Sequence, residues 1–220
     1  MTLSLHRKLV AAGGLLSASG LIGSVAVWGA LPARVPIHWD AAGQPNGWAP
    51  KAFALLALPL LGALLAPLAG ALVSRSGHGP RRALVHRAGA TVSLLTGGFL
   101  LAVHLLALRA MLHPSATLAV GAVLALTGLL FLGLAPTMRW LEPNRWAGFR
   151  TRWSLADETN WALTHRFGAW SMGLGGLVCA LAPALFAPAL AAWIGLGSVL
   201  AGSLAPLGYS YLLHRARGAR

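Results

Sequence analysis

Six long apolar runs, separated by short polar segments, constrain this sequence more than any other feature. A helix that crosses the hydrocarbon core of a bilayer needs about 20 mostly apolar residues, and each run has roughly that length. The runs extend over Leu9 to Leu31, Ala52 to Val73, Ala88 to Met111, Ser115 to Met138, Phe167 to Phe186 and Ala189 to Leu213. We therefore predict an all-α, polytopic membrane protein with six transmembrane helices. The first run exceeds the apolar core of a signal peptide, about 7–15 residues, so we expect a helix that is retained.

The composition excludes an ordinary soluble fold. Hydrophobic residues make up 57% of the chain and charged residues 10%, whereas soluble domains carry about 25% charged residues. The formal net charge is +13, but the basic residues lie in short segments between apolar runs. We interpret this charge as a topology signal and expect no direct nucleic-acid binding.

The basic residues also predict an orientation. If both chain ends are cytoplasmic, 14 of the 17 Lys and Arg residues lie on the cytoplasmic side. The three on the other side are Arg34, Lys51 and Arg109. Because cytoplasmic loops are enriched in Lys and Arg, this distribution favours six spans with an N-in, C-in topology.

We divide the chain into three predicted units. Residues 1–75 form a two-helix unit with an extracytoplasmic loop at 31–51, residues 76–138 form a central helix pair, and residues 139–220 hold a cytoplasmic segment (139–166) and the last two helices. Pro183 and Pro188 flank the link between these helices, which predicts a tight helical hairpin.

Small residues recur inside the last two predicted helices. Ser171 and Gly175, and Ser198 and Gly202, have the four-residue spacing that allows close helix packing in lipid. We interpret each pair as background membrane composition. The single cysteine, Cys179, lies in an apolar run, and we expect a small buried residue rather than a metal ligand.

The extracytoplasmic loop is not a plain linker. Its first part, residues 35–40, predicts a short strand-like stretch, and residues 42–47 have turn chemistry. Trp39 and Trp48 suit the membrane interface. His38 and Asp40 could be two metal ligands or half of an acid–base pair, or they could support the loop through hydrogen bonds, with Asp40 closing an Asx turn. We favour the supporting role, because two ligands alone do not make a metal site.

The cytoplasmic segment holds three of the chain's four acidic residues. Ser154 resembles a helix N-cap, and Asp157 and Glu158 then fall in the first turn, where the helix dipole favours acids. Such a helix places Glu158, Trp161 and His165 on one face, and it could continue into the fifth span.

Two interpretations of these acids stay open. Glu158 and His165 could bind a metal or handle a proton, although their spacing is not the i, i+4 of the zinc-protease pattern. Alternatively, Asp157 and Glu158 pair with Arg150, Arg152 or Arg166 and hold the segment under the helices. We favour the pairing with arginine, and we expect no bound cofactor or metal.

The two polar segments resemble the SdpI family of bacterial membrane proteins. In the cytoplasmic segment the resemblance rests on Pro143, Asn144, Gly148, Arg150, Thr151, Trp153, Leu155, Trp161, Thr164, His165 and Arg166. The outer loop resembles a domain of unknown function that often precedes the SdpI region, through Pro32, Pro36, His38, Trp39, Gly43, Pro45 and Gly47. One position departs from the pattern: Arg152 stands where the family often carries proline.

The resemblance implies immunity or resistance to a secreted antimicrobial peptide in the bacterial cytoplasmic membrane. It also implies a signalling role, in which the membrane protein holds a small transcriptional repressor, and no enzyme activity. The residues expected to contact these partners are His38, Trp39, Asp40 and Gly43 outside, and Asn144, Gly148, Arg150, Thr151, Trp153, Glu158, Trp161, His165 and Arg166 inside.

Two other functions stay open. A transporter or channel usually places polar residues at mid-membrane, and His104 is the best candidate within a predicted span. A metal-dependent membrane enzyme would need His38, Asp40, Glu158 and His165 together. The predicted topology puts about 30 Å of hydrocarbon between the two pairs, so one site could form only if the loops folded back into the bundle.

Overall fold

The computed structural model describes residues 2–77, 79–113 and 120–218. Its helices are α1 (Leu3–Ala18), α2 (Gly20–Val27), α3 (Lys51–Ser74), α4 (Arg82–Leu112), α5 (Val120–Leu134), α6 (Arg152–Ala156), α7 (Glu158–Leu185) and α8 (Pro188–Gly218). Two strands, β1 (Arg34–Trp39) and β2 (Pro45–Pro50), lie between α2 and α3. Short 3₁₀ segments extend α2 over Trp28–Ala30 and α5 over Ala135–Trp140.

Six helical segments are long and apolar enough to cross a membrane. They cover Leu3–Ala30, Lys51–Ser74, Arg82–Leu112, Val120–Trp140, Glu158–Leu185 and Pro188–Arg217. This confirms the six predicted apolar helices and indicates a multi-pass membrane protein, while the N-in, C-in orientation stays a prediction. The predicted start of the fourth run at Ser115 lies outside the described residues. Helix α7 begins in the polar segment and continues into the fifth span, as the sequence suggested.

The small residues of α7 and α8 make direct helix contacts. The Ser171 hydroxyl donates to the Gly202 carbonyl at 2.7 Å, and the Ser198 hydroxyl donates to the Gly175 carbonyl at 3.0 Å. A Cβ at Gly175 would overlap the Ser198 carbonyl oxygen. The interpretation as background composition is therefore wrong, because each pair supplies both a hydroxyl bond and a close backbone approach.

The link between α7 and α8 is short, as predicted. Helix α7 ends at Leu185 and α8 begins at Pro188, so the two helices form a tight antiparallel pair. Helix α7 also packs against α5, and α4 packs chiefly against α1 and α3. Cys179 is buried in α7, and its thiol lies 3.3 Å from the Leu124 carbonyl of α5.

A two-stranded antiparallel hairpin occupies the predicted outer loop. Val35 pairs with Ala49, and Pro36 pairs with Trp48. The strand over residues 35–40 is therefore confirmed as β1, but the turn prediction over 42–47 is wrong at its end, because β2 begins at Pro45. Strand β2 (Pro45–Pro50) contains two prolines and a glycine, which have low strand propensity. The sequence therefore did not predict this strand.

Candidate functional site

The two polar segments lie at opposite ends of α4. At one end, Leu108 and Met111 of α4 pack with Leu31 and Val35 beside the strands; we call this the hairpin end. At the other end, Ala88 and Val92 of α4 pack with Val73, Leu141 and Trp161 beside residues 139–166; we call this the motif end. His38 and Asp40 therefore share no site with Glu158 and His165, and neither polar segment folds back into the bundle.

His165 holds the motif segment against α7. Its Nε2 accepts a hydrogen bond from the Phe149 backbone N–H at 3.0 Å, and its Nδ1 lies 2.9 Å from the Trp161 carbonyl. A backbone N–H only donates and a carbonyl only accepts, so the ring is the neutral tautomer with its proton on Nδ1. Both nitrogens are thus occupied within the protein, which leaves neither for a metal or for proton transfer in this arrangement.

The Trp161 ring lies over His165 and completes this packing. The two ring centroids are 3.9 Å apart, and the Trp161 indole N–H donates to the Leu141 carbonyl at 3.1 Å. Trp161 and His165 are both buried, and Glu158 lies exposed on the same face. The prediction that these three residues share one helix face is confirmed.

Gly148 allows the motif segment to approach His165. Its φ is +98°, which L side chains rarely adopt, and a Cβ there would overlap His165 Nε2. Both the backbone conformation and the close approach therefore require glycine. Gly148 contributes space for the hydrogen bond from Phe149 rather than a binding group.

A hydroxyl and amide network joins α6, α7 and α8. The Thr151 and Ser210 hydroxyls lie 2.6 Å apart, and the Ser210 hydroxyl donates to the Asn160 side-chain oxygen at 2.8 Å. The Asn160 amide donates to the Ser210 carbonyl at 2.9 Å, and the Thr164 hydroxyl donates to the Asn160 oxygen at 3.0 Å. Asn160, Thr164 and Ser210 are buried, so the network satisfies polar groups that would otherwise be costly.

Helix capping at the motif end differs from the prediction. Thr151, not Ser154, is the N-cap of α6, and the two residues form a reciprocal capping box. Asp157 is the N-cap of α7, with its carboxylate accepting from the Thr159 N–H at 2.9 Å. The Ser154 N-cap prediction is wrong because Thr151 starts a separate short helix that the sequence pattern did not reveal.

The acidic residues pair differently from the prediction. Asp157 forms an ion pair with Arg217 of α8 at 2.6 Å rather than with Arg150, Arg152 or Arg166. Partial desolvation raises the pKa of Asp157, but hydrogen bonds from Thr159, Arg217 and Asn160 outweigh it, and the pKa lies below its usual value. Glu158 lies in the first turn of α7, as predicted, and forms no ion pair with any residue that the structure describes.

The remaining signature side chains shape the surface of the motif end. Asn144 accepts from the N–H groups of Trp146 and Ala147, at 2.7 and 2.8 Å, and so closes the turn before Gly148. The exposed Arg150 guanidinium donates to the Arg145 carbonyl at 2.9 Å. Trp153 packs on Tyr211 of α8, with ring centroids 4.9 Å apart.

An open groove of about 650 Å³ lies beside these residues. Glu158, Trp161, His165 and Arg166 line it from α7. Arg81, Arg139 and Glu142, which lie outside α7, also line the groove. The Glu142 carboxylate accepts from the N–H groups of Gly79 and Arg81, at 2.9 and 3.0 Å. Arginines from three different elements thus surround one cavity at the motif end.

At the hairpin end, His38 and Asp40 support the loop. His38 Nδ1 is hydrogen-bonded to the Asn46 side-chain oxygen. The Asp40 carboxylate accepts from the N–H groups of Ala42 and Gln44, both at 2.9 Å. The Asx turn is confirmed, and Gly43 at its corner has a φ of +78°. These bonds support the predicted structural role of the pair.

The hairpin is also fixed to the helices and presents large apolar side chains. The Lys51 ammonium donates to the carbonyls of Trp28 and Leu31, at 2.9 and 3.1 Å. Around this anchor, Trp48 is 51% exposed and Phe53 is 59% exposed. Trp28 and Ile37, in and beside the same hairpin, are each 40% exposed. We call these four exposed side chains the hairpin surface; Trp28 and Phe53 belong to the adjoining candidate spans. Trp39 is half-buried and packs against the cluster below.

Across the described ranges 2–77, 79–113 and 120–218, no three His, Cys, Asp or Glu side chains converge as metal ligands would. His104, the candidate polar residue within a span, is buried with its Nε2 2.8 Å from the Ser24 hydroxyl. That hydroxyl lies 2.7 Å from the Leu55 carbonyl. His104 therefore joins α2, α3 and α4 through hydrogen bonds.

Sequence reasoning missed four residues that organise these two ends. Asn160 and Ser210 carry the network between α7 and α8, and Asn46 and Lys51 hold the hairpin. A polar residue inside an apolar run, as Ser210 is, was the available signal for a buried hydrogen bond. No sequence signal pairs Asn46 with His38, because their contact depends on the strand register.

Comparison with known families agrees with this division into two ends. Residues 141–210 match the SdpI/YfhL protein family, and residues 15–63 match a domain of unknown function, DUF1648. The chain thus carries a DUF1648 domain in its N-terminal region and an SdpI/YfhL family domain in its C-terminal region. Residues 141–166 of the motif end fall within the second match, and the hairpin falls within the first. No curated protein and no solved structure matched the chain.

Proposed function

We propose that this membrane protein protects its cell against a secreted antimicrobial peptide, which it meets at the hairpin end. The hairpin surface is the observation that carries the proposal. It holds four large apolar side chains (Trp28, Ile37, Trp48 and Phe53) that are at least 40% exposed. Aromatic side chains on a rigid support are favoured anchors for a partner.

The surface is rigid enough to recognise a partner. Val35 on the inner side of β1 is buried against Leu55 of α3 and Leu108 of α4. The Lys51 ammonium joins the start of α3 to the carbonyls of Trp28 and Leu31, at the end of the first helical span. The conformational entropy cost of binding a peptide here is small, because the surface is already ordered.

At the motif end, we propose that the exposed part of residues 139–166 binds a small repressor protein inside the cell. The exposed groups there include Arg150, Arg166 and the half-exposed Trp146. Arg and Trp are enriched at protein interfaces. Helix α4 contacts both the hairpin cluster and the motif cluster, so it offers a physical link for a signal. The proposal assigns no catalytic reaction to the chain.

A toxin-challenge assay tests the outer half of the proposal. Cells that express the wild-type chain should survive a secreted antimicrobial peptide of the SdpC kind that kills cells without it. Replacing Trp48 and Phe53 with alanine should remove this protection without lowering the amount of protein in the membrane. Trp193→Ala is a matched control, because Trp193 is 74% exposed on α8 and lies outside the hairpin. Full protection by the hairpin double variant would contradict the proposal.

The proposed repressor-binding surface at the motif end needs a separate measurement. Arg150→Ala removes an exposed guanidinium, whereas His165→Ala removes a buried support, and we expect both to abolish function while membrane insertion persists. Arg150→Ala should keep the wild-type thermal midpoint, and His165→Ala should lower it. If both variants protect cells and signal normally, the motif end has a purely structural role and the proposed repressor surface is wrong.

A further inference from the structure

The open groove at the motif end, which Arg81, Arg139 and Arg166 line and which we call the basic groove, shares Arg139 with an apolar groove on the bundle surface. The apolar groove has a volume of about 420 Å³ and runs between α7 and the end of α5. It is lined by Leu132, Ala135, Pro136, Arg139, Ala169, Trp170, Gly173, Leu174 and Leu177. Arg139 also lines the basic groove. The Arg139 guanidinium therefore lies where the basic groove meets the apolar groove.

In the lining of the basic groove, positively charged side chains outnumber negatively charged ones. Arg81, Arg139 and Arg166 line it, and no described carboxylate lies within 4.0 Å of their guanidinium groups. Glu142 also lines the groove, but its carboxylate is engaged by two backbone N–H groups. Glu158 is the other acid in the lining and is exposed. The arginines outnumber the acids, so the groove suits an anion.

The apolar groove suits a hydrocarbon chain. Its floor contains the small residues Ala135, Ala169 and Gly173, and its walls include Leu174 and Trp170, which are 64% and 71% exposed. It lies on helices that are apolar enough to cross a membrane. A large exposed indole beside an arginine is typical of the membrane–water boundary.

We infer that these joined grooves bind an anionic phospholipid, with its phosphate among Arg139, Arg166 and Arg81 and one acyl chain along the apolar groove. Basic pockets between membrane helices are a known way of recognising anionic headgroups. A soluble anion would leave the apolar groove empty, and a zwitterionic phospholipid would bring its ammonium group beside three guanidinium groups. This inference concerns a different surface from the hairpin and does not depend on the proposed function.

Native mass spectrometry of the purified full chain tests the inference. The protein is titrated with phosphatidylglycerol and, separately, with phosphatidylcholine of the same acyl chains. We expect phosphatidylglycerol to bind at least about tenfold more tightly, because the trimethylammonium group of phosphatidylcholine would add a positive charge beside the arginines of the groove. Arg139→Gln and Arg166→Gln should each remove most of this preference. Arg87→Gln is the matched control, because Arg87 is exposed on α4 at the same end and lies outside both linings.

Two further variants probe the separate parts of the site. Gly173→Leu should weaken phosphatidylglycerol binding by filling the apolar groove, and a Cβ at Gly173 meets only Ala135 at 3.6 Å, so the fold should tolerate it. Glu158→Gln should strengthen binding, because it removes the exposed negative charge. Equal binding of the two lipids, or equal losses from Arg87→Gln and Arg139→Gln, would overturn the inference. Unchanged binding in Gly173→Leu would overturn the placement of the acyl chain.

Discussion

The polar side chains that support the two ends of the molecule are buried at the motif end and exposed at the hairpin end. At the motif end, three side chains of the sequence signature turn inward: Trp161, Thr164 and His165 are buried, and they form hydrogen bonds to Leu141, Asn160 and Phe149. At the hairpin end, Asp40 and His38 bond their own loop while large apolar side chains face outward. Buried hydrogen bonds therefore hold the motif end together, whereas the hairpin is held by exposed hydrogen bonds beside its large exposed apolar side chains.

This difference changes what a functional assay means. A substitution at His165 or Gly148 removes a support, so a loss of function there does not identify a contact with a partner. A substitution at Trp48 or Phe53 removes exposed surface and leaves the supports in place. The comparison can therefore be tested by asking which variants change stability and which change only function.

Gly148→Ala should give the largest loss of stability. The added Cβ would adopt an unfavourable φ and displace His165 Nε2 from the Phe149 N–H. Backbone strain and a buried unpaired donor together cost about 3 kcal/mol, which a lowered thermal midpoint of the purified protein would report. Gly208→Ala in α8 is the control, because nothing lies within 4 Å of its added Cβ. Equal midpoints for the two variants would contradict the role given to Gly148.

Asn160→Ala should cost about 2 kcal/mol, since it leaves the Ser210 and Thr164 hydroxyls without their buried acceptor. Ser210→Ala breaks the same network from the other helix. A double-mutant cycle should give a coupling energy of about 1 kcal/mol between the two positions. Strict additivity would show that the network is not a unit and would weaken the contrast between the two ends.

Trp48→Ala should change stability by no more than about 0.5 kcal/mol, because an exposed side chain makes few buried contacts. Val35→Ala in the paired strand is the internal comparison. Val35 is buried, and its loss of apolar burial should cost about 1.5 kcal/mol. In the toxin-challenge assay the order should reverse, with Trp48→Ala the more damaging variant. A large stability loss from Trp48→Ala would show that the hairpin surface is a support.

Asp157→Asn should have the smallest effect and should appear mainly as a change in pH dependence. The pKa of Asp157 is lower in the folded protein than its usual value, so its contribution to stability is present above about pH 4 and is lost as pH falls through the folded pKa. Asparagine keeps the N-cap but loses the ion pair to Arg217. Thermal midpoints measured from pH 6 to pH 3 should fall less steeply in the variant than in the wild type.

Much of the fold could be predicted because lipid imposes simple rules on sequence. Each of the six helices needs a long apolar run, and the short link between Pro183 and Pro188 needs an antiparallel return. Helix starts were less predictable: Asp157 and Thr151 are caps, yet Ser154 has equal capping propensity. The competition between neighbouring caps is decided by tertiary contacts, here by the bond between Thr151 and Ser210.

For the candidate site, sequence alone determined the six apolar helices, the one-face alignment of Glu158, Trp161 and His165, and the Asx turn at Asp40. These features depend on local spacing and on the solvent that surrounds each segment. Only the tertiary structure decided that His165 is a neutral support, that Asp157 pairs with Arg217, and that arginines from three elements line one groove. Those facts depend on distances between segments that are far apart in the chain, and no local pattern encodes such distances.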